Sequence, residues 1–312
     1  MAPSMSAQAY SLFQYLDITP KGMISTFASV ARLELLTVNH KPIKQTPYGF
    51  LYMTEDLSTL SEMKDFVTSL ARGLTVIQAF DKQNSRLTLT QVAKRTDLNR
   101  ATARRFLFTL HALGYVNSDG KLFCLSPKIL ELGYAYLASQ PLVDTVQPFI
   151  EKVSKETGES CSVSVLDGLD VVYIARHLTY HVMSVTLNVG TRLPAAVTSM
   201  GRVLLAYNSD QEIDKFLKNV QIKKYTSFTL VDREQIKESL NQTRFQGYCI
   251  VSQELEVGLR SVAVPIKNSR GQVVAAINVG AQAGRISEQE LIERILPSLQ
   301  QAARDIQEAL PA

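Results

Sequence analysis

A chain of 312 residues with 46% hydrophobic and 20% charged residues has length for two ordinary domains and apolar content for a buried core, which excludes a disordered polyelectrolyte. No apolar run approaches the ~18 residues of a membrane span, and the N-terminus lacks the basic-then-apolar pattern of a secretory signal. The net charge of +4 is unevenly spread: Lys64 to Lys128 holds 11 Lys/Arg against 4 Asp/Glu, a balance of +7, which leaves −3 elsewhere. That footprint fits a polyanion partner, although charge alone fits a solvated basic face equally well. Three scattered cysteines, Cys124, Cys161 and Cys249, have no C-x-x-C spacing, which argues against disulfides or structural zinc and for a reducing cytoplasm.

Residues 1–62 lack sustained periodicity and read as a poorly ordered N-terminal extension. A first domain is expected over 63–126. Its opening stretch, DFVTSLARGLTVIQAF, puts Phe66, Leu70, Leu74, Val76, Ile77 and Phe80 at mostly helical spacing. In LTLTQVAKRT, Thr90 is the expected helix cap, with Val92 and Ala93 facing inward. Asp97-Leu98-Asn99 makes a tight turn, and Asn99 caps the next helix. On that helix Ala103, Phe106, Leu107, Leu110 and Leu113 form one stripe, Ala101, Arg104, Arg105 and Phe108 fall opposite, and Gly114 ends it. YVNSDGKLFCL reads as a hairpin turning at Asp119-Gly120. A connector helix comes next over 127–141, from Pro127 with Pro141 at its far end.

Over 142–312 strands alternate with helices. SCSVSVLD, VVYIAR, MSVTLNV, YCIVS, SVAVPIK and QVVAAINVG read as strands, and TSMGRVLLAY, SDQEIDKFLKNV and REQIKESLNQTRFQ as helices. The last helix starts in a Ser287/Glu290 capping box and bends near Pro297. The fold class is α+β, with a mostly antiparallel sheet and flanking helices in the second domain.

Two helices about a three-residue turn, a helix before them and a hairpin after them describe a winged helix-turn-helix. Its second helix lies in the major groove of double-stranded DNA with its N-terminal half toward the bases. Arginine there makes bidentate bonds to guanine or contacts phosphate. The candidate DNA contacts are Thr90, Asn99, Arg100, Ala101, Thr102, Arg104, Arg105 and, from the hairpin, Lys121.

LTLTQVAKRTDLNRATARRFLFTLHALGYV, RLPAAVTSMGRVLLA and GYCIVSQELEVGLRSVAVPI together resemble the IclR family of bacterial transcription regulators. LGYAYLASQPL and SVSVLDGLDVVYIARH resemble its branch controlling protocatechuate, 4-hydroxybenzoate and β-ketoadipate catabolism. The resemblance covers roughly 64–310. It departs at Asp97, where the family usually has Gly, and residues 1–62 match nothing in it; Asp tolerates the left-handed backbone such a turn needs. It implies a GAF-like or profilin-like α+β effector-binding domain over 142–312, with Ser199, Met200, Val251, Ser261, Asn278 and Gly280 at the pocket positions. The implied effector is a small aromatic or dicarboxylic acid, protocatechuate first. Val251 replaces an aspartate found in some relatives and suits a ring better than a charge. Arg176, Arg192, Arg202 and Arg260 are all candidates to meet a carboxylate, and the sequence does not choose among them. A dimer or tetramer through ILELGYAYL is implied, with RNA polymerase as a further partner if the protein is an activator. The alternatives are a repressor with another small-acid effector and a constitutive DNA-binding protein.

Catalysis is not expected. His177 and His181 lack a nearby metal-ligand partner, GESCS misses the G-x-S-x-G nucleophile pattern at Ser162, and GAQAG is no dinucleotide fingerprint. Neither metal nor cofactor is expected.

Overall fold

The computed structural model describes residues 44–45, 51–52, 64–81, 83–179 and 187–311. The chain divides into two compact units, Met1–Asp56 and Leu57–Ala312. In the first, β1 (Lys44–Gln45) pairs antiparallel with β2 (Leu51–Tyr52); the rest of the expected extension lies outside the described residues.

In the second unit, α1 (Thr68–Gln78), α2 (Leu89–Arg95) and α3 (Arg100–Ala112) pack with a small antiparallel sheet of order β3-β5-β4. Its strands are β3 (Leu87–Thr88), β4 (Val116–Ser118) and β5 (Leu122–Leu125). Val76, Leu87, Val92, Ala103, Leu107 and Val116 are buried at the centre. The turn before α3 is left-handed at Asp97, φ 53°, as its residue type allows. Asn99 Oδ1 accepts the Thr102 N–H at 2.8 Å, satisfying a donor the helix start leaves free. At the other end Gly114 takes φ 82°, while Gly114 N–H and Tyr115 N–H bond the carbonyls of His111 and Leu110, a Schellman closure.

Three expectations need correction here. Thr88, not Thr90, caps α2. Leu87 and Thr88 pair with Phe123 and Leu122, so the backbone is still extended at Thr88 and turns helical only after it. Gln91 Oε1 accepts the Thr88 N–H at 2.8 Å, completing a capping box, and Thr90 is left exposed in the first turn. Leu70, Leu74 and Leu113 are exposed. Core contact is made by Val76 near the end of α1 and by Ala79 and Phe80 just past it, and Leu113 is the C-cap residue of α3. The connector is also shorter than expected. A 3-10 turn (Pro127–Ile129) leads into α4 (Leu130–Ala138), and Pro141 opens α5 (Pro141–Thr157), where its missing N–H costs nothing.

The remaining strands form one fully antiparallel sheet of order β8-β7-β6-β11-β10-β9. They are β6 (Ser160–Asp167), β7 (Asp170–His177), β8 (Arg192–Pro194), β9 (Cys249–Ser252), β10 (Leu259–Lys267) and β11 (Val273–Gln282). Of the expected strand MSVTLNV, 183–186 lie outside the described residues and Leu187–Val189 are not strand. Period-2 alternation assigns the faces. Cys161, Val163, Val262, Val264, Ile277 and Val279 meet α5 and the C-terminal helix α9 (Leu296–Ala309). Tyr173, Val251, Ala263 and Ala276 face α6 (Ser199–Ala206), α7 (Asp210–Asn219) and α8 (Arg233–Gln246). The expected Ser287/Glu290 box is present, and the helix passes through a π turn (Leu291–Ile295) just before Pro297, which relieves the clash proline makes with the preceding turn.

Every residue of α6 is buried. A Cβ at Gly201 would lie 2.2 Å from the Ala195 carbonyl oxygen, so only glycine lets α6 pack on the turn before it. Gly201→Ala is expected to destabilise the second domain by roughly 3 kcal/mol. Thermal unfolding against a Gly284→Ala control, which meets nothing within 4 Å, checks this.

Candidate functional site

Arg100, Ala101, Arg104 and Arg105 are all exposed on α3, whose opposite face is held by Ala103, Leu107 and Leu110. Arg100 and Arg104 face a crevice between α3 and the β4–β5 hairpin, together with Thr90, Phe108, His111 and Lys121. Ala101, Thr102 and Arg105 do not line it. Asn99 is exposed, but its side-chain oxygen is committed to the cap. Phe108 lies off the apolar stripe and is 53% exposed; the Arg104 guanidinium carbon sits 5.2 Å from its ring centroid.

The second site is a cavity between the sheet and α6. It measures about 130 Å³, against the roughly 10–15 Å³ that houses one water. All six expected residues line it: Ser199, Met200, Val251, Ser261, Asn278 and Gly280. They converge through strand register. Ser261 sits opposite both Val251 and Gly280, Gly280 opposite Ser160, and one residue pair along, Asn278 opposite Ser162 and Ser162 opposite Arg176. Cross-strand partners share a face, so these rows form a polar floor. Ser199 Oγ and Ser261 Oγ are 2.8 Å apart and tie α6 to that floor. Met200 Sδ accepts from Ser164 Oγ at 3.2 Å.

A bulge in β7 completes the site. Ser162 pairs with Arg176 and Val163 with Ala175, but Ser164 pairs with Tyr173, which makes Ile174 the extra residue. Residues three apart in a regular strand point to opposite faces; the bulge brings Tyr173 and Arg176 to the same cavity. Burial pushes the Tyr173 phenol up to about 12, so it is an uncharged group at neutral pH. Burial also draws Arg176 below the usual arginine value, with Tyr173 acting weakly the other way.

The four arginines now separate. Arg192 pairs with Asp167 and Asp170 on the exposed sheet edge. Arg202, 2% exposed, bonds Glu254 at 2.7 Å and the Ala196 carbonyl at 2.9 Å. Arg260 bonds Ser252 Oγ at 2.9 Å and the Ile286 carbonyl at 2.6 Å. Arg176 lines the cavity with Nε and Nη1 buried and without a hydrogen-bond partner among the described residues. Sequence reasoning missed Ser160, Ser162, Gln282 and the Glu254–Leu259 wall. The serines had a signal: in SCSVSV every second residue is Ser, which marks one small polar face. Among the described residues no group of His, Cys, Asp and Glu is placed to hold a metal ion, and no helix is long and apolar enough to cross a membrane.

The IclR helix-turn-helix domain matches residues 69–120, and the bacterial transcriptional regulator IclR C-terminal domain matches 134–308. The chain belongs to the IclR family of bacterial transcriptional regulators. It is therefore a regulator and not an enzyme. The Pca regulon regulatory protein of Pseudomonas putida is 49% identical over 243 residues, which is 78% of this chain and 84% of that protein. The p-hydroxybenzoate hydroxylase transcriptional activator of Acinetobacter baylyi is 35% identical over 249 residues, 78% and 92% of the two chains. A solved transcriptional regulator from Rhodococcus sp. RHA1 superimposes with a TM-score of 0.72 at 49% identity, covering 78% of this chain and 98% of that one. In this IclR regulator the cavity wall includes Glu254, which anchors to α6 through Arg202 and to the backbone N–H of Leu230 at 3.0 Å. Glu254→Ala strands a buried guanidinium and is expected to cost about 3–5 kcal/mol. Glu288→Ala, at the exposed end of a 3.8 Å pair with Arg260, should cost under ~1 kcal/mol. Chemical denaturation of both variants measures the difference.

Proposed function

We propose that this IclR-type regulator is an effector-responsive activator of genes for aromatic acid catabolism in the protocatechuate/β-ketoadipate branch. The carrying observation is Arg176: a half-buried guanidinium whose Nε and Nη1 are buried and without a partner among the described residues, in a cavity whose other polar groups are hydroxyls, the amides of Asn278 and Gln282, and the acids Glu254 and Glu256, of which Glu254 is held by Arg202. An unpaired buried charge is costly, and a ligand carboxylate removes that cost with charge-assisted hydrogen bonds. Val251 and Met200, 4% and 1% exposed, give the apolar surface a ring needs, while Ser199, Ser261 and Asn278 suit ring hydroxyls. The names of the Pseudomonas and Acinetobacter relatives point to the same chemistry. Protocatechuate is the first candidate, with β-ketoadipate and 4-hydroxybenzoate behind it.

Effector and DNA must be coupled for regulation, typically by about 1–3 kcal/mol. Calorimetry with each acid is expected to give binding well below millimolar, and Arg176→Gln should weaken it by about 1.5–3 kcal/mol, the worth of a hydrogen bond to a charged group. If none of the three acids bound while the protein still bound its promoter, the effector reading would be wrong and the regulator would stand.

The same reading includes a dimer or a dimer of dimers. One winged helix covers too little DNA for tight specific binding. On α4, Leu130 is 71% exposed, Leu132 50% and Tyr134 69%, an apolar surface of the kind that marks association. Sedimentation at micromolar concentration should give an assembly larger than one chain, and Leu130→Glu together with Leu132→Glu should shift it toward monomer. As an activator the protein would also contact RNA polymerase.

A further inference from the structure

The arginines of α3 do not share one environment, and the difference assigns them different jobs. Arg100, Arg104, Phe108 and His111 succeed one another at spacings of four, four and three, so they form one ridge of the helix. That ridge faces the hairpin across the crevice, with Lys121 on the other wall. Among the described residues no carboxylate lines the crevice, and Asp119 at the hairpin turn is taken by Arg86 at 2.7 Å. Arg105 lies about 100° further round, outside it. With α3 in the major groove, a hairpin standing beside the helix straddles one of the phosphate ridges that bound the groove, and the crevice closes over that ridge.

Phe108 is what places Arg104 there. Its ring is exposed on one side, packs edge-on against the buried Phe123 of β5 at 6.4 Å, and carries the Arg104 guanidinium at 5.2 Å. Hairpin strand, aromatic ring and guanidinium are thus stacked in series. We propose that Phe108 is a positioning residue holding Arg104 as a phosphate arm in this crevice, while Arg105 reads base edges. The proposal rests on α3 being the DNA-contacting helix.

The test uses the full chain and two duplexes: one selected by the wild-type protein from a random library, and one of mixed sequence. Affinities are read by anisotropy across a salt series. Phe108→Leu and Arg104→Gln are each expected to weaken both duplexes alike, by roughly two- to fivefold for the former, the scale of an exposed cation–π contact. Both should lower the salt slope by about one, leaving the specificity ratio unchanged. Phe108→Tyr should restore wild-type behaviour, and the Phe108→Leu, Arg104→Gln double variant should lose little beyond Arg104→Gln alone. Arg105→Gln should instead reduce the specificity ratio. An unchanged slope in Phe108→Leu, losses that simply add in the double variant, or a fall in the specificity ratio with Arg104→Gln would each overturn the assignment. A wild-type chain that enriched no duplex from the library and did not bind the mixed one would overturn the DNA-contacting reading of α3 itself, a result no variant comparison could mimic.

Discussion

The second domain depends on a sheet whose central strands have no face left for water. Helices cover both sides of β6, β10 and β11 along their middle stretches, so the side chains there must either pack or find a polar partner. One face meets this demand with Val, Ile, Ala and Cys against α5 and α9. The other sets Ser160, Ser162, Asn278 and Ser261, all 9% exposed or less, in adjacent cross-strand rows. Polar groups gathered on a covered face satisfy one another only in part, and the space above them becomes a cavity and not core. The polar floor of the cavity is the product of a regular sheet that alternates small polar with apolar residues.

Two local departures from regularity turn that floor into a site. Gly201 lets α6 approach the turn at Ala195 closely enough to bring Ser199 onto Ser261. The extra residue Ile174 in β7 rotates the strand so that an uncharged buried phenol and a guanidinium enter the same space. Among the described residues the charge on that guanidinium has no internal compensation, whereas Arg202 is matched by Glu254 and held further by the Ala196 carbonyl. Electrostatics therefore assigns Arg202, behind the wall, and Arg176, in the cavity, opposite roles. One holds the wall together, and the other is kept available.

In the DNA-binding domain the constraint is the short turn between α2 and α3. Asp97 in the left-handed region lets the Leu98 N–H bond the Ala93 carbonyl at 3.1 Å, which sets where α3 begins. Arg95 reaches back to the Ala79 carbonyl at 2.9 Å and to Asp81 at 2.6 Å, locking α2 onto the end of α1.

Most of the elements, the Asn99 cap, the Asp97 turn, the Ser287 box and the Ala103, Leu107 and Leu110 stripe of α3 were legible in the sequence, because caps, turns and periodicity are set by residues a few positions apart. The six cavity positions carried by the family resemblance also fall together. What the sequence left open required contacts between distant segments. β3 exists because Leu87 finds Phe123, and that pairing moves the cap of α2 to Thr88. α5 went unread, and Pro141 reads equally as an end or a beginning until the packing of Val146 and Ile150 on the sheet decides it. Among four arginines of identical chemistry, the sequence by itself determined only that a cation was at hand. The tertiary structure decided which one, because three of them meet carboxylates, hydroxyls or carbonyls from other parts of the chain, and a one-residue bulge leaves Arg176 facing the cavity.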